Sequence, residues 1–179
     1  MVAVMWERLK RVHPFWWFAG VFVLINALWI IPNFTGAGGL PAGEPAPGFR
    51  LPEVSGAGAS ISLEDMEGRT VLLLFWATWC DACIAEIPTV RSVAERYSGR
   101  GFSVLGMNLD GGDREAVASF VARGSIPWKN VLTDEKTAAA YRVRILPALY
   151  LVDAEGRVCR RFSGRVGEGR LSRAVEQCL

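Results

Sequence analysis

Hydrophobic spacing changes period in the middle of this chain, and it does so at two cysteines. Residues 71–76 are an unbroken apolar run, the pattern of a strand covered on both faces. From Ile84 onward, Ile84, Ile87, Val90, Ala94 and Tyr97 share one helical stripe. A core strand therefore leads into a helix with Cys80 and Cys83 at the join. Downstream, Gly99 and Gly101 break the chain before a second core strand at residues 102–107. Asp113 is placed to cap a helix with apolar positions Ala116, Val117, Phe120 and Val121. A brief helix over 134–141 leads to a strand at 145–152 opened by Pro147, then a turn at 153–156 and a last strand at 157–162. Leu171, Ala174, Val175 and Cys178 form the buried stripe of a closing helix. Upstream, residues 49–51 and Ser60–Ser62 read as a hairpin, and Ser62 with Asp65 has the form of a helix cap.

The N-terminal third has a different pattern. Residues 15–31 carry no charge, Pro14 and Pro32 bracket them, and Arg8, Lys10 and Arg11 precede them. As a helix this stretch spans about 25 Å, at the short end of what a bilayer needs. Trp16, Trp17 and Trp29 fall near its two ends, where aromatic side chains favour the membrane interface. The basic residues predict a cytoplasmic segment over 1–14, a transmembrane signal anchor over 15–31, and everything beyond on the far side of an inner membrane. A cleaved signal peptide is the alternative, with Thr35, Gly36 and Ala37 as a poor cleavage site. Asn26 is tolerable inside the span if it finds a backbone partner. Residues 32–48 hold five glycines and four prolines and read as a linker with too little apolar surface to pack. The globular domain is expected over 49–179.

Composition narrows the chemistry. Of 179 residues 51% are hydrophobic, enough for one ordinary core plus an extension. From Arg50 onward 17 basic residues face 16 acidic ones, so no basic field attracts nucleic acid. The single histidine, His13, lies outside the globular part, which disfavours zinc hydrolases and Cys-His nucleophiles. Cys80, Cys83, Cys159 and Cys178 are too few for a disulfide scaffold, and no metal or organic cofactor is expected. For Cys159 and Cys178 two readings stand: a structural disulfide outside the cytoplasm, or two inert thiols.

A thiol at a helix N-terminus sits beside unpaired N–H groups and the positive end of the helix dipole, both of which favour thiolate. Cys80 is therefore the candidate nucleophile. Cys83, one turn deeper, can resolve a mixed disulfide by attacking the Cys80 sulfur. Glu86 follows Cys83 by three residues and shares its helical face. It is either a solvated surface acid or a buried carboxylate that takes the Cys83 proton.

Phe75, Trp76, Ala77, Thr78, Trp79 and Cys80, with Glu86 and Pro88, make the chain resemble the thioredoxin superfamily, and most closely its membrane-anchored TlpA, ResA and CcmG type branch. The likeness covers roughly residues 49–179. It implies an α/β fold: a thioredoxin-like three-layer sandwich with a central mixed sheet, an N-terminal β-hairpin and an N-terminal transmembrane helix. It also implies a redox-active Cys80–Cys83 disulfide with Glu86 as base. Pro147 is implied to be a cis-proline facing the dithiol, Leu146 to pair its backbone with an extended substrate, and Trp79 to shield the pair.

The chain departs from the branch at Asp81 and Ala82, where relatives commonly carry proline before the second cysteine. An acid beside Cys80 and a looser first turn disfavour its thiolate, which argues for a reductant. The resemblance implies substrates among disulfides of partner proteins, such as apocytochrome c or metal-site cysteines, and a membrane electron donor of the DsbD or CcdA kind. An oxidase or isomerase, or a redox-inert module braced by Cys80–Cys83, are the other readings. Peroxidase chemistry is disfavoured because Leu73 and Ala77 stand where a peroxiredoxin-type cysteine is preceded by proline and threonine.

Overall fold

The computed structural model describes Phe18, residues 20–26, 39–56 and 58–179. The chain divides into two units, Met1–Ala37 and Gly38–Leu179. In the first, residues 20–26 are helical, and the Asn26 side-chain amide donates to the Phe22 carbonyl at 2.7 Å, the backbone partner a polar group in an apolar stretch requires. Among the described residues no helix is long and apolar enough to cross a membrane. The expected 1–14 segment, and the expected 15–31 anchor apart from Phe18 and residues 20–26, lie outside the described residues.

The second unit is built on a five-stranded sheet. Its strands are β3 (Thr70–Trp76), β4 (Phe102–Asn108), β5 (Lys129–Leu132), β6 (Ala148–Val152) and β7 (Val158–Ser163), in the order β5-β4-β3-β6-β7. β3 runs parallel to β4 and antiparallel to β6. The outer pairs are β4 with β5, parallel, and β6 with β7, antiparallel. Every residue of β3 and of β6 is buried, as an apolar run between two covered faces requires.

Alternation along β3 sorts the core into two layers. Leu72, Leu74 and Trp76 face a cluster with Val90 and Val93 of α2 (Ile87–Arg96), Val117 and Val121 of α3 (Arg114–Arg123), and Leu171 and Val175 of α5 (Glu168–Cys178). Val71, Leu73 and Phe75 face Leu51 of β1 (Arg50–Pro52), Ile61 of β2 (Ser60–Ser62), and Tyr141 at the end of α4 (Glu135–Ala140). β1 and β2 pair antiparallel as the expected hairpin. Asp65 accepts from the Ser62 amide and hydroxyl, each at 2.8 Å, and so anchors the single turn that follows. Asp113 and Asp134 cap α3 and α4 through the amides of Ala116 and Thr137.

Two expectations are corrected and one strand is added. The helix after Cys80 is not continuous: α1 (Asp81–Ile84) ends and α2 begins at Ile87, because Pro88 has no N–H to offer the preceding turn. β5 went unread because it is four residues long with a buried polar Asn130 in it. The second half of the expected 32–48 linker is not a tether. Leu40 is buried, the amides of Gly43 and Ala46 donate to the Val158 and Gly156 carbonyls, and the Val158 amide donates to the Glu44 carbonyl. Backbone pairing against β7 supplies what the side chains lack.

Candidate active site

Strand directions gather four loops at one end of the sheet. β3 and β4 end there, β6 begins there and β7 ends there. The loops are 77–80, 109–113, 145–147 and 164–167. The Phe75–Ala148 register carries Leu146 and Pro147 alongside the exit from β3, a few residues before Cys80. The Leu146–Pro147 bond is cis, and the Pro147 carbonyl accepts from the Gly164 amide at 2.7 Å. Loop 145–147 is thus tied to loop 164–167.

Cys80 is the N-cap of α1, and its sulfur accepts from the Cys83 amide at 3.2 Å, an interaction that favours negative charge on that sulfur. The two cysteines are joined in a disulfide. Cys83 has no exposed surface, whereas Cys80 keeps 8%, so an incoming sulfur reaches Cys80 first. The split between α1 and α2 makes Glu86 the N-cap of α2 and turns its side chain inward.

Glu86 is fully buried, so it is not the solvated surface acid. Its carboxylate accepts from the Val166 amide at 3.2 and 3.3 Å, and Arg165 Nε lies 3.6 Å away. Burial pushes its pKa up from the ordinary glutamate value, against the opposing pull of the Val166 N–H and the Arg165 charge. Neither Val166 nor Arg165 was picked out in the sequence, since both lie some eighty residues away with no motif to mark them.

The other expected site residues fall as follows. Leu146 is half-buried between the two core clusters, and Pro147 is buried. Trp79 is 69% exposed and Ile145 62%. Trp79 therefore presents most of its ring to solvent, and the exposed apolar lip beside the cis-proline is Ile145 more than Leu146. Trp76 is buried, its indole N–H donating to Asn130 Oδ1 at 3.1 Å. Cys159 and Cys178 form a second disulfide, which joins β7 to α5. Among the described residues no His, Cys, Asp and Glu cluster could hold a metal ion.

An accessible sulfur at a helix start, a buried partner sulfur and a buried carboxylate beyond it form a set that can accept and release electron pairs by thiol-disulfide exchange. The model of the AhpC/TSA family matches residues 42–161. The chain belongs to the AhpC/TSA family. Within this thioredoxin-fold family it is a thiol-disulfide oxidoreductase. It is 32% identical to the thiol-disulfide oxidoreductase ResA of Bacillus subtilis (strain 168) over 155 residues, 84% of this chain and 85% of that protein. ResA of Geobacillus kaustophilus (strain HTA426) is 29% identical over 144 residues, 80% of this chain and 81% of that one. A solved structure described as a thiol:disulfide interchange protein DsbE, from Chlorobium tepidum, superposes with a TM-score of 0.70 at 29% identity. It covers 78% of this chain and 98% of its own.

Proposed function

We propose that this oxidoreductase reduces disulfides in partner proteins, with Cys80 as nucleophile, Cys83 as resolving thiol and Glu86 as the group that takes the Cys83 proton. The observation that carries the reading is Glu86 itself, a carboxylate with no exposed surface three residues beyond Cys83. The Cys80 thiolate attacks a substrate disulfide, one substrate sulfur leaves as thiolate, and a Cys80 mixed disulfide forms. Cys83 gives its proton to Glu86 and attacks the Cys80 sulfur; the second substrate thiol leaves and the Cys80–Cys83 bond closes. Trp79, Ile145 and Leu146 offer apolar surface to the substrate segment, and the backbone of Leu146 beside cis-Pro147 offers it an extended edge.

Asp81 beside Cys80 and Ala82 before Cys83 support reduction as the direction, since both disfavour the Cys80 thiolate. The Cys159–Cys178 pair supports an oxidising compartment, and the uncharged stretch after three basic residues supports a single-pass membrane anchor with the folded unit outside the cytoplasm. Disulfides of apocytochrome c or of metal-site cysteines fit this reading as substrates, and a membrane donor of the DsbD or CcdA kind fits as the source of electrons.

Catalysed reduction of insulin by dithiothreitol tests the activity: turnover is expected with the native pair and none with Cys80→Ala. Equilibration against glutathione tests the direction. A potential more negative than about −200 mV is expected, and one near the roughly −120 mV of a strong oxidant would make the protein a disulfide donor.

A further inference from the structure

The turn between β7 and α5 offers Glu86 two neighbours of different kinds. The Val166 N–H donates to both carboxylate oxygens; it fixes their position and carries no net charge. Arg165 places Nε 3.6 Å from Oε2, and its Nη2 donates to the Ala85 carbonyl at 3.4 Å. The Arg165 side chain is 60% exposed and that of Glu86 1%, so the cation stands between the buried carboxylate and solvent. Gly164, next to Arg165, donates to the Pro147 carbonyl, so the turn that carries the cation is fastened to the cis-proline loop as well as to Glu86.

The other charged groups of the packed elements are engaged elsewhere or face outward. Arg96 of α2 pairs with Glu168 of α5, Glu176 accepts from the Tyr97 hydroxyl, Arg170 lies over the Phe162 ring, and Asp81 is exposed. In the reduced protein the thiols of Cys80 and Cys83 are the titratable groups on the dithiol side. Among the described residues Arg165 is the cation against Glu86.

We propose that Arg165 is a positioning residue that sets the pH range in which Glu86 accepts the Cys83 proton, by placing a fixed positive charge 3.6 Å from a buried carboxylate. The inference rests on Glu86 being that acceptor. Arginine keeps its charge throughout the working range, so it acts as a constant bias and not as a second switch. Without it, desolvation acts on the carboxyl with only one N–H in opposition.

The test follows closure of the dithiol in the full chain. Reduced protein is mixed with a symmetric nitrobenzoate disulfide whose thiolate absorbs visible light. The first thiolate released reports attack by Cys80. The second reports Cys83 attacking the Cys80 sulfur: the Cys80–Cys83 bond forms, the bond to the nitrobenzoate sulfur breaks, the electron pair leaves with that thiolate and the Cys83 proton goes to Glu86. Wild type is expected to show a rate for the second release that rises with pH. Arg165→Gln should move that rising limb to higher pH, slowing release about two- to threefold on the limb, the size a solvent-screened ion pair carries, with the alkaline plateau unchanged. Arg165→Lys should restore the limb, and Glu86→Gln should leave only the more alkaline rise that ionisation of the Cys83 thiol gives by itself. An unmoved limb in Arg165→Gln, with the limb displaced in Glu86→Gln, overturns the role of Arg165 alone. A limb that keeps its wild-type position in Glu86→Gln overturns the reading of Glu86 and the inference built on it.

Discussion

Thr78 and Asp110 are joined twice: the Asp110 carboxylate accepts from the Thr78 amide at 3.0 Å and from the Thr78 hydroxyl at 2.9 Å. Asp110 lies just past β4 and Thr78 two residues before Cys80, so the end of one core strand holds the loop that presents Cys80. The buried Asn108 amide also donates to Asp110, which keeps the carboxylate in place.

Asp110→Ala is therefore expected to loosen the dithiol loop. Hydrogen bonds to a charged acceptor are worth about 1.5–3 kcal/mol each; with the loop partly open to solvent the expected loss of stability is ~2 kcal/mol in urea denaturation. Exchange by Cys80 should slow at every pH, because position and not proton transfer is lost. Unaltered stability and exchange would show that the loop holds itself.

Gly106 is packed where no side chain fits. A Cβ there would lie 1.8 Å from Asn130 Oδ1, the atom that accepts from the Trp76 indole. Gly106→Ala must push Asn130 aside, leaving a buried N–H unpaired at about 1–3 kcal/mol on top of overpacking at a similar cost. A midpoint shift of ~3 kcal/mol is expected, with the near-ultraviolet signal of Trp76 altered; a silent substitution would mean the sheet yields here.

Burial makes Glu86 a source of pH-dependent stability. Its folded pKa is raised above 4.5, the ordinary glutamate value, chiefly by desolvation. A raised folded pKa means that the folded chain binds the proton more tightly than the unfolded chain. The contribution to stability is then fully present below about the ordinary value and is lost as pH rises through the folded one. Glu86→Gln is neutral throughout and still accepts from the Val166 N–H. The melting temperature of Glu86→Gln minus that of wild type is expected to grow as pH rises from 4 to 7.5; a difference that stays flat or shrinks would contradict the assigned burial cost.

How much of this could be read in the sequence depended on whether the signal was local. The run 71–76, the stripe at 171–178 and the cap at Asp113 were legible because each is fixed by residues within a few positions of one another. The dithiol was legible for the same reason, as a strand, two cysteines and a helix start. Val166 and Arg165 were not, because they meet Glu86 only after β6 and β7 have reversed the chain twice. The packing of residues 40–48 was also hidden: it rests on backbone N–H and C=O groups, which every residue but proline carries alike. The exposure of Trp79 shows a third limit, since apolar character beside a cysteine does not say how much of the ring faces solvent.

The second disulfide makes the last prediction. Cys159 and Cys178 are 19 residues apart, and the segment between them includes the turn that carries Arg165 and Val166. Closing a loop of that length is worth about 3 kcal/mol through the entropy of the unfolded chain, so Cys159→Ala with Cys178→Ala should lose about that much in equilibrium denaturation. Cys80 caps a helix start, where its sulfur accepts from the Cys83 amide and a leaving thiolate is favoured, whereas Cys178 lies at the far end of α5 and Cys159 on the edge strand β7. Graded dithiothreitol followed by alkylation and mass measurement should therefore label Cys80 and Cys83 first and Cys159 and Cys178 only at higher reductant. Insulin reduction by the double variant should be retained below its melting temperature. Simultaneous labelling of all four cysteines would mean that the two disulfides share one role, and an unchanged stability would mean that the β7–α5 link constrains nothing the fold does not already hold.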